Sequence, residues 1–388
     1  MARSLTSTAS PVAFAPPLIG ADEIAEVIAT LESGWLTTGP RVAAFERAFA
    51  EYADAAHAVA LNSCTAALHL SLLASGVEPG DDVVTTPLTF CATANTIIHA
   101  GARPVFADVD AATGNLDPAA AAAAFTSRTR ALLPVHFAGR PVDVVGFHDL
   151  ARRHSVPVIE DAAHCVEGIA DGHKVGSTAD FTCFSFYATK NLTTGEGGMV
   201  TTNDPRAAAF IRTASLHGLS RDAWTRYAPG GRSDYDVVMA GFKYNMMDLQ
   251  AAIGLHQLAH LEERLARRDA IWNAYDRAFA TLPLRLPPPV LDGDRHARHI
   301  YSVGVDERAS GMSRDVLQQR LTDRGVATSI HFRALHLHPY YQERFGYSRG
   351  MFPAAEAISD STLSLPLSAG MTPETVARVI EAVHDSFL

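Results

Sequence analysis

Lysine is nearly absent from this chain. Only Lys174, Lys190 and Lys243 occur in 388 residues, and the rest of its 32 basic residues are arginine. Cysteine is also scarce: Cys64, Cys91, Cys165 and Cys183 form no CxxC pair. That excludes a zinc ribbon and a disulfide framework, and leaves buried, reduced thiols in a cytoplasmic protein as the plain expectation. No apolar run approaches the ~18 residues of a membrane-spanning helix. The start, MARSLTSTASPVAFAPP, lacks an apolar core followed by a cleavage site, so 1–20 are expected to be a loose tail. GxSxG, Walker A, GxGxxG and HExxH are all missing, and no CxxC–HxxxH pattern accompanies the histidines His296, His299, His331, His336 and His338. This disfavours a lipase-type hydrolase, a P-loop NTPase, a Rossmann oxidoreductase and a metal site. A net charge of −10 argues against nucleic-acid and anionic-membrane partners, so an anionic substrate would need a local basic pocket.

What is present is an ordered chain, 47% hydrophobic and only 19% charged, with helix-like and strand-like segments in alternation. Strand character falls at DDVVTTP (81–87), RPVFADVD (103–110), TRALLPVHF (129–137), VPVIED (156–161), FTCFSFY (181–187) and GMVTTN (198–203). Helical patterns lie between them at 66–75, 92–100 and 142–154, after an amphipathic segment at 21–33. Continuous apolar strands separated by helices predict an α/β fold with a mainly parallel sheet covered on both faces. Ligands in such sheets sit beyond the carboxyl ends of the strands. A helical stretch over 248–282 then meets PLRLPPP (283–289), which predicts a connection into a smaller C-terminal domain with strands near 299–305 and 328–332 and a last helix over 373–387. The expected division is a tail at 1–20, a large domain at 21–255, and a connecting helix with a small domain at 256–388.

Four constellations could carry chemistry. NSCTAALHL (62–70) follows a strand and opens a helix, so Thr65 and Ala66 sit where free N–H groups could dock a phosphate. An ordinary Ser/Thr helix cap fits that stretch at least as well. In VIEDAAH (158–164), Glu160 and Asp161 end a buried strand, where a carboxylate needs a cation such as a protonated pyridine nitrogen. A salt bridge or helix cap is the alternative. Lys190, at the end of FSFYATK, has an apolar setting that would lower its pKa and make it a nucleophile able to form a Schiff base. A structural cation in so arginine-rich a chain would more easily be arginine, which tilts the reading toward chemistry. In FKYNMMDLQAAIG (242–254), Asn245 reads as the N-cap of the following helix, with Asp248 in its first turn.

Taken together, the stretches GWLTTGP, NSCTAALHL, PLTFCATANTI, GARPVFADVD, PVHFAG, VIEDAAH, FSFYATKN, GEGG and FKYNMMDLQAAIG resemble the DegT/DnrJ/EryC1/StrS family of sugar aminotransferases over nearly the whole chain. His164 and IHFRALHLHPYYQERF (330–345) are most similar to the branch containing the enzyme that makes UDP-4-amino-4-deoxy-L-arabinose. The resemblance implies an aspartate-aminotransferase-like fold (fold type I for pyridoxal phosphate, PLP), with a mainly parallel seven-stranded sheet and a smaller C-terminal α+β domain. It makes Lys190 the Schiff-base lysine and Asp161 the partner of the pyridine nitrogen, with Phe90 stacked on the ring. It places Thr65, Ala66 and Ser185 at the phosphate and His164 at the cofactor. Asn245 would reach the phosphate of the neighbouring subunit, in a homodimer with shared sites. Thr38, His331 and Arg333 fall on the substrate side. Cys64 departs from the pattern, since many relatives have glycine there.

The activity so implied moves an amino group from L-glutamate, leaving 2-oxoglutarate, to C4 of a UDP- or dTDP-linked keto-sugar in a ping-pong scheme. A 4-ketopentose is favoured and a 4-keto-6-deoxyhexose comes next. C3 amination, or a non-catalytic relative that binds PLP or a sugar nucleotide, is the alternative. Lys190 argues against C3 deoxygenation, because family members of that type that resemble this pattern carry histidine there. The aromatic run before Lys190 would keep the amine dry, and GEGG would let backbone pass close to the cofactor.

Overall fold

Seven strands build the central sheet of the computed structural model, which describes residues 10–220 and 235–388. In chain order they are β1 (His57–Leu61), β2 (Asp82–Thr85), β3 (Arg103–Phe106), β4 (Thr129–Leu133), β5 (Ile159–Asp161), β6 (Phe181–Ser185) and β7 (Gly198–Thr202). Two hydrogen-bonded groups, β1-β7-β6-β5 and β3-β2-β4, are joined where Asp161 N–H donates to the Pro134 carbonyl (2.9 Å) and His136 N–H to the Asp161 carbonyl (3.1 Å). β7 runs antiparallel to both neighbours, and the remaining pairings are parallel. β2, β6 and β7 are buried at every position, as expected of strands covered on both faces.

Helices α1 (Ala21–Glu32), α2 (Pro40–Ala53), α3 (Cys64–Ala74), α4 (Cys91–His99), α5 (Pro118–Ala124), α6 (Val144–His154) and α7 (Pro205–Ser215) surround the sheet. Phe45 and Phe49 of α2 meet Phe184 and Phe186 with ring centroids 5.0 to 5.5 Å apart. The expected helix over 248–282 is two helices, α8 (Asp248–Ala259) and α9 (Leu261–Phe279), with His260 outside helical geometry between them. Gly254 lets α8 lie on Phe45, whose ring atoms would be 2.7 Å from an added Cβ.

The C-terminal part has its own core, in which Trp272, Tyr275 and Phe279 of α9 pack with Tyr301 and Leu363. Its sheet is β8 (Leu284–Arg285), β9 (Tyr301–Val305) and β10 (Thr362–Leu365), all antiparallel. The strand expected near 328–332 is replaced by one bridge, Ser329 to Ser364; the partner of β9 is β10. The last helix is Pro373–Asp385.

Of the expected loose tail, 1–9 lie outside the described residues, and the expectation fails for 10–20. Val12 bridges Val326 and is buried in the C-terminal core. The Leu18 carbonyl accepts from Gln257 Nε2 at 2.9 Å. Phe14 stacks on His331 with centroids 5.7 Å apart. No described helix is long and apolar enough to cross a membrane.

Candidate active site

The carboxyl ends of β1, β5 and β6 and the segment after β2 converge on a cleft of about 480 Å³. Into it come Thr65 after β1, Phe90 after β2, Asp161 at the end of β5, Ser185 at the end of β6, and Lys190 five residues later. His331 and Phe332 from the C-terminal part, with His164 from the loop after β5, close it.

β5 parts its two acidic residues. Glu160 is structural: it accepts from Thr182 Oγ1 (3.0 Å) and lies 3.4 Å from His136 Nε2. Asp161 enters the cleft with 5% of its surface exposed. Its Oδ2 accepts from Thr93 Oγ1 (2.7 Å) and its Oδ1 from the Ala163 N–H (3.1 Å). Burial nevertheless holds its carboxyl above the ordinary range, although Thr93, Ala163, Lys190 and His136 all pull it down. A carboxylate in this state calls for a cation in the cleft, which a protonated ring nitrogen supplies.

Lys190 keeps part of its surface toward the cleft and is enclosed by protein elsewhere. Burial lowers its pKa to about 8, against the opposing pull of Cys64 and Asp161. The amine is therefore partly neutral, hence nucleophilic, near neutral pH. Cys64 is buried beneath it, with its thiol pushed well up by burial and its Sγ 3.7 Å from the Cys183 carbonyl.

The helix-opening turn is divided between a cap and the cleft lining. Ser63 caps α3, its Oγ accepting the Ala66 N–H at 3.1 Å. Ala66 is buried and does not line the cleft, so its expected phosphate contact is displaced by the cap; Thr65 is on the lining. Gly198 is what β7 needs to pass this turn, because an added Cβ would lie 2.4 Å from Ser63 C and 2.5 Å from Cys64 N. The glycine thus makes room for the turn's backbone.

Phe90 is 61% exposed although its ring borders the cleft, which leaves a face free for a flat ligand. Ser185 lines the cleft and its Oγ accepts from the Tyr187 N–H at 3.4 Å. His164 stacks on Phe332 (5.9 Å, 15°) and touches His299 (4.8 Å). Burial and then Lys190 keep His164 and His331 below the usual histidine range, with His299 and His331 adding to the effect on His164, so the wall is uncharged at neutral pH.

Two expected residues, Arg333 and Thr38, are not brought to this cleft, and Asn245, expected at the phosphate of a neighbouring subunit, lies outside it as well. Arg333 donates to the Leu337 carbonyl at 2.7 Å, within its own loop. Thr38 and Asn245 are bonded to each other instead, Asn245 Nδ2 donating to Thr38 Oγ1 (2.7 Å) while Lys243 Nζ donates to Asn245 Oδ1 (2.6 Å). Asn245 is not the cap of α8; Met247 holds that position. Asp248 caps a different helix, accepting from the Arg41 and Val42 N–H groups at the start of α2. The sequence reading missed Thr93, Tyr187, Phe332 and Phe14. The i, i+4 spacing of Thr89 and Thr93, whose hydroxyls are 2.8 Å apart, was the available signal for the first. Among the described residues, no group of three or more His, Cys, Asp or Glu could hold a metal ion.

A low-pKa lysine, a dry carboxylate across the cleft and an anion-ready turn, set on this sheet, define a PLP-dependent aminotransferase of fold type I. Lys190, Asp161, Thr65, Phe90 and Ser185 are a donor set that fits the cofactor's aldehyde, ring nitrogen, phosphate and flat ring. Residues 17–384 match the DegT/DnrJ/EryC1/StrS aminotransferase family, and the chain belongs to it. The spore coat polysaccharide biosynthesis protein SpsC of Bacillus subtilis (strain 168) is 51% identical over 373 residues, 96% of each chain. Among solved structures, the PLP form of the putative sugar aminotransferase Spr1654 from Streptococcus pneumoniae is 32% identical, with a TM-score of 0.90 over 97% of this chain and 98% of that one. Helicobacter pylori PseC, an aminotransferase involved in pseudoaminic acid biosynthesis, is 28% identical, with a TM-score of 0.90 over 97% and 99%.

Proposed function

We propose that this enzyme transfers an amino group from L-glutamate to C4 of a UDP- or dTDP-linked 4-keto sugar, a 4-ketopentose first and a 4-keto-6-deoxyhexose next. The observation that carries the reading is the pairing of a partly neutral Lys190 with the buried Asp161 across one cleft. The uncharged wall of His164 and His331 supports a sugar, because neutral imidazoles both donate to and accept from hydroxyl groups. The names of SpsC and PseC, one from polysaccharide and one from pseudoaminic acid biosynthesis, point the same way.

Bound PLP supplies an electron sink for the carbon that loses its proton. Asp161 holds a proton on the ring nitrogen through a charge-assisted hydrogen bond, with Thr93 and the Ala163 N–H fixing its carboxylate. Thr65 and Ser185, with the start of α3, bind the phosphate group. Phe90 and the aromatic wall exclude water. Lys190 Nζ takes the proton from the donor's α-carbon and, in the second half-reaction, delivers one to the sugar carbon that receives nitrogen. Glutamate and the keto-sugar use the site in turn.

Borohydride reduction of the yellow holoenzyme should fix the cofactor to Lys190, located by mass spectrometry of the peptide. A panel of nucleotide keto-sugars with glutamate, read by NMR of the product, should place the amine on C4. A protein that stays colourless with added PLP would overturn the reading, and an amine on C3 would move the site of transfer.

A further inference from the structure

The residue after the lysine is tied into a buried polar chain that the mechanism above leaves unused. Asn191 Nδ2 donates to Glu167 Oε2 (2.9 Å) and to the Ala297 carbonyl (2.8 Å). Glu167 is fully buried and paired with the buried Arg268 of α9, whose Nε also donates to the Arg298 carbonyl at 3.1 Å. Both partners of Asn191 Nδ2 can only accept, so the carboxamide has one allowed orientation. Its Oδ1, which can only accept, then lies 3.0 Å from His299 Nδ1. Burial, followed by Lys190, His331, Arg268 and His296, holds His299 well below the usual range, so the ring is neutral and carries a single N–H. The hydrogen is therefore on Nδ1, and Nε2 carries a lone pair. The ring lies 4.8 Å from that of His164, tilted by 42°. His164 is itself more than nine-tenths buried, lines the cleft, and has no partner for its Nδ1 among the described residues.

We propose that Asn191 is a positioning residue that locks His299 in its Nδ1–H form and so fixes the ring that packs against His164 in the cleft wall; this rests on the reading of the Lys190 cleft as the active site. The two neutral imidazole rings meet as a tilted packing contact. The order runs from the Arg268–Glu167 pair through Asn191 and His299 to the cleft wall, so the C-terminal part helps to set where the His164 ring stands.

The test uses PLP-loaded enzyme labelled with 15N-histidine. Two-bond proton–nitrogen spectra identify the protonated nitrogen of each ring, and His299→Gln and His164→Gln assign the signals. Wild type should show His299 protonated at Nδ1. In Asn191→Ala the Nε2–H form of His299 should become populated. The rate at which glutamate bleaches the cofactor colour should fall about tenfold in that variant, with the half-saturating glutamate concentration little changed. His299→Asn keeps a donor where Nδ1 stood and removes the ring that packs on His164, so it should load cofactor normally and still lose rate. A wild-type His299 protonated at Nε2, or a His299→Asn enzyme with full rate, overturns the proposal, and both measurements stand even where Asn191→Ala does not fold. Wild-type enzyme that glutamate fails to bleach would speak against the proposed donor, leaving the spectra to decide on Asn191.

Discussion

Lys190 shows why one lysine persists in a chain that otherwise uses arginine. A guanidinium stays charged in any setting this protein offers, whereas an ammonium can give up its proton when water is withheld. Burial withholds it here, and the amine falls to about 8. Only the neutral amine attacks an aldehyde, so the rate of PLP uptake by enzyme stripped of cofactor should rise with pH and level off near pH 8. An exposed lysine would keep gaining until about pH 10.4. Stopped-flow absorbance across a pH series distinguishes the two, and a rate still climbing steeply past the lower value would show the amine to be solvated. Lys190→Ala should take up PLP without forming the covalent link, and should lose turnover while keeping the fold.

At the scale of elements, the critical contact is between β7 and the turn that opens α3. Gly198 has no need of unusual backbone angles; what it provides is space against Ser63 and Cys64. Gly198→Ala must push backbone against backbone, which side-chain rotation cannot relieve. It should cost about 1–3 kcal/mol of stability by thermal or denaturant unfolding, and should weaken PLP binding in a titration because the displaced turn carries Thr65. Unchanged affinity and stability would mean that the turn moves freely. Elements of this kind were legible in the sequence when a run of residues had one environment. The strands around VIED and FTCFS, and the helix after Ser63, could be read because every position in them is buried or periodic. Thr328–Phe332 could not, because its β-like residues form a loop that lends Ser329 to one bridge while His331 and Phe332 turn to the cleft. Asn245 misled for a related reason. The cap position expected of it belongs to Met247, and Asn245 bonds instead to Thr38, some two hundred positions earlier in the chain. Asp248 stands in the first turn of α8 as expected and also caps α2. The same limit hid Phe14, whose partner His331 is distant in sequence.

The whole molecule poses a question that one chain leaves open: what Thr38, Lys243 and Asn245 serve, being bonded to one another away from the cleft that Lys190 lines. The surface around them is apolar. Ile24, Ile28 and Leu31 form a stripe on α1, and Leu36 and Met247 flank the polar group, all five more than two-fifths exposed. Exposed apolar side chains grouped in this way suit a protein partner better than water. A second copy would cover them and, in an isologous dimer, would bring each Asn245 toward the other chain's phosphate turn. In such a dimer Lys190→Ala and Asn245→Asp would each remove one part of a shared site, the second by placing a negative charge where the phosphate would dock. Alone, each variant should be nearly inactive. Co-expressed in equal amounts, they should form mixed dimers in which one site has lost both residues and the other has kept both. Purified through two different tags, so that only mixed dimers remain, the pair should show about half of wild-type activity per total protein. If Asn245 acted only within its own chain, every site in the mixed dimer would carry one defect, and mixing would restore nothing.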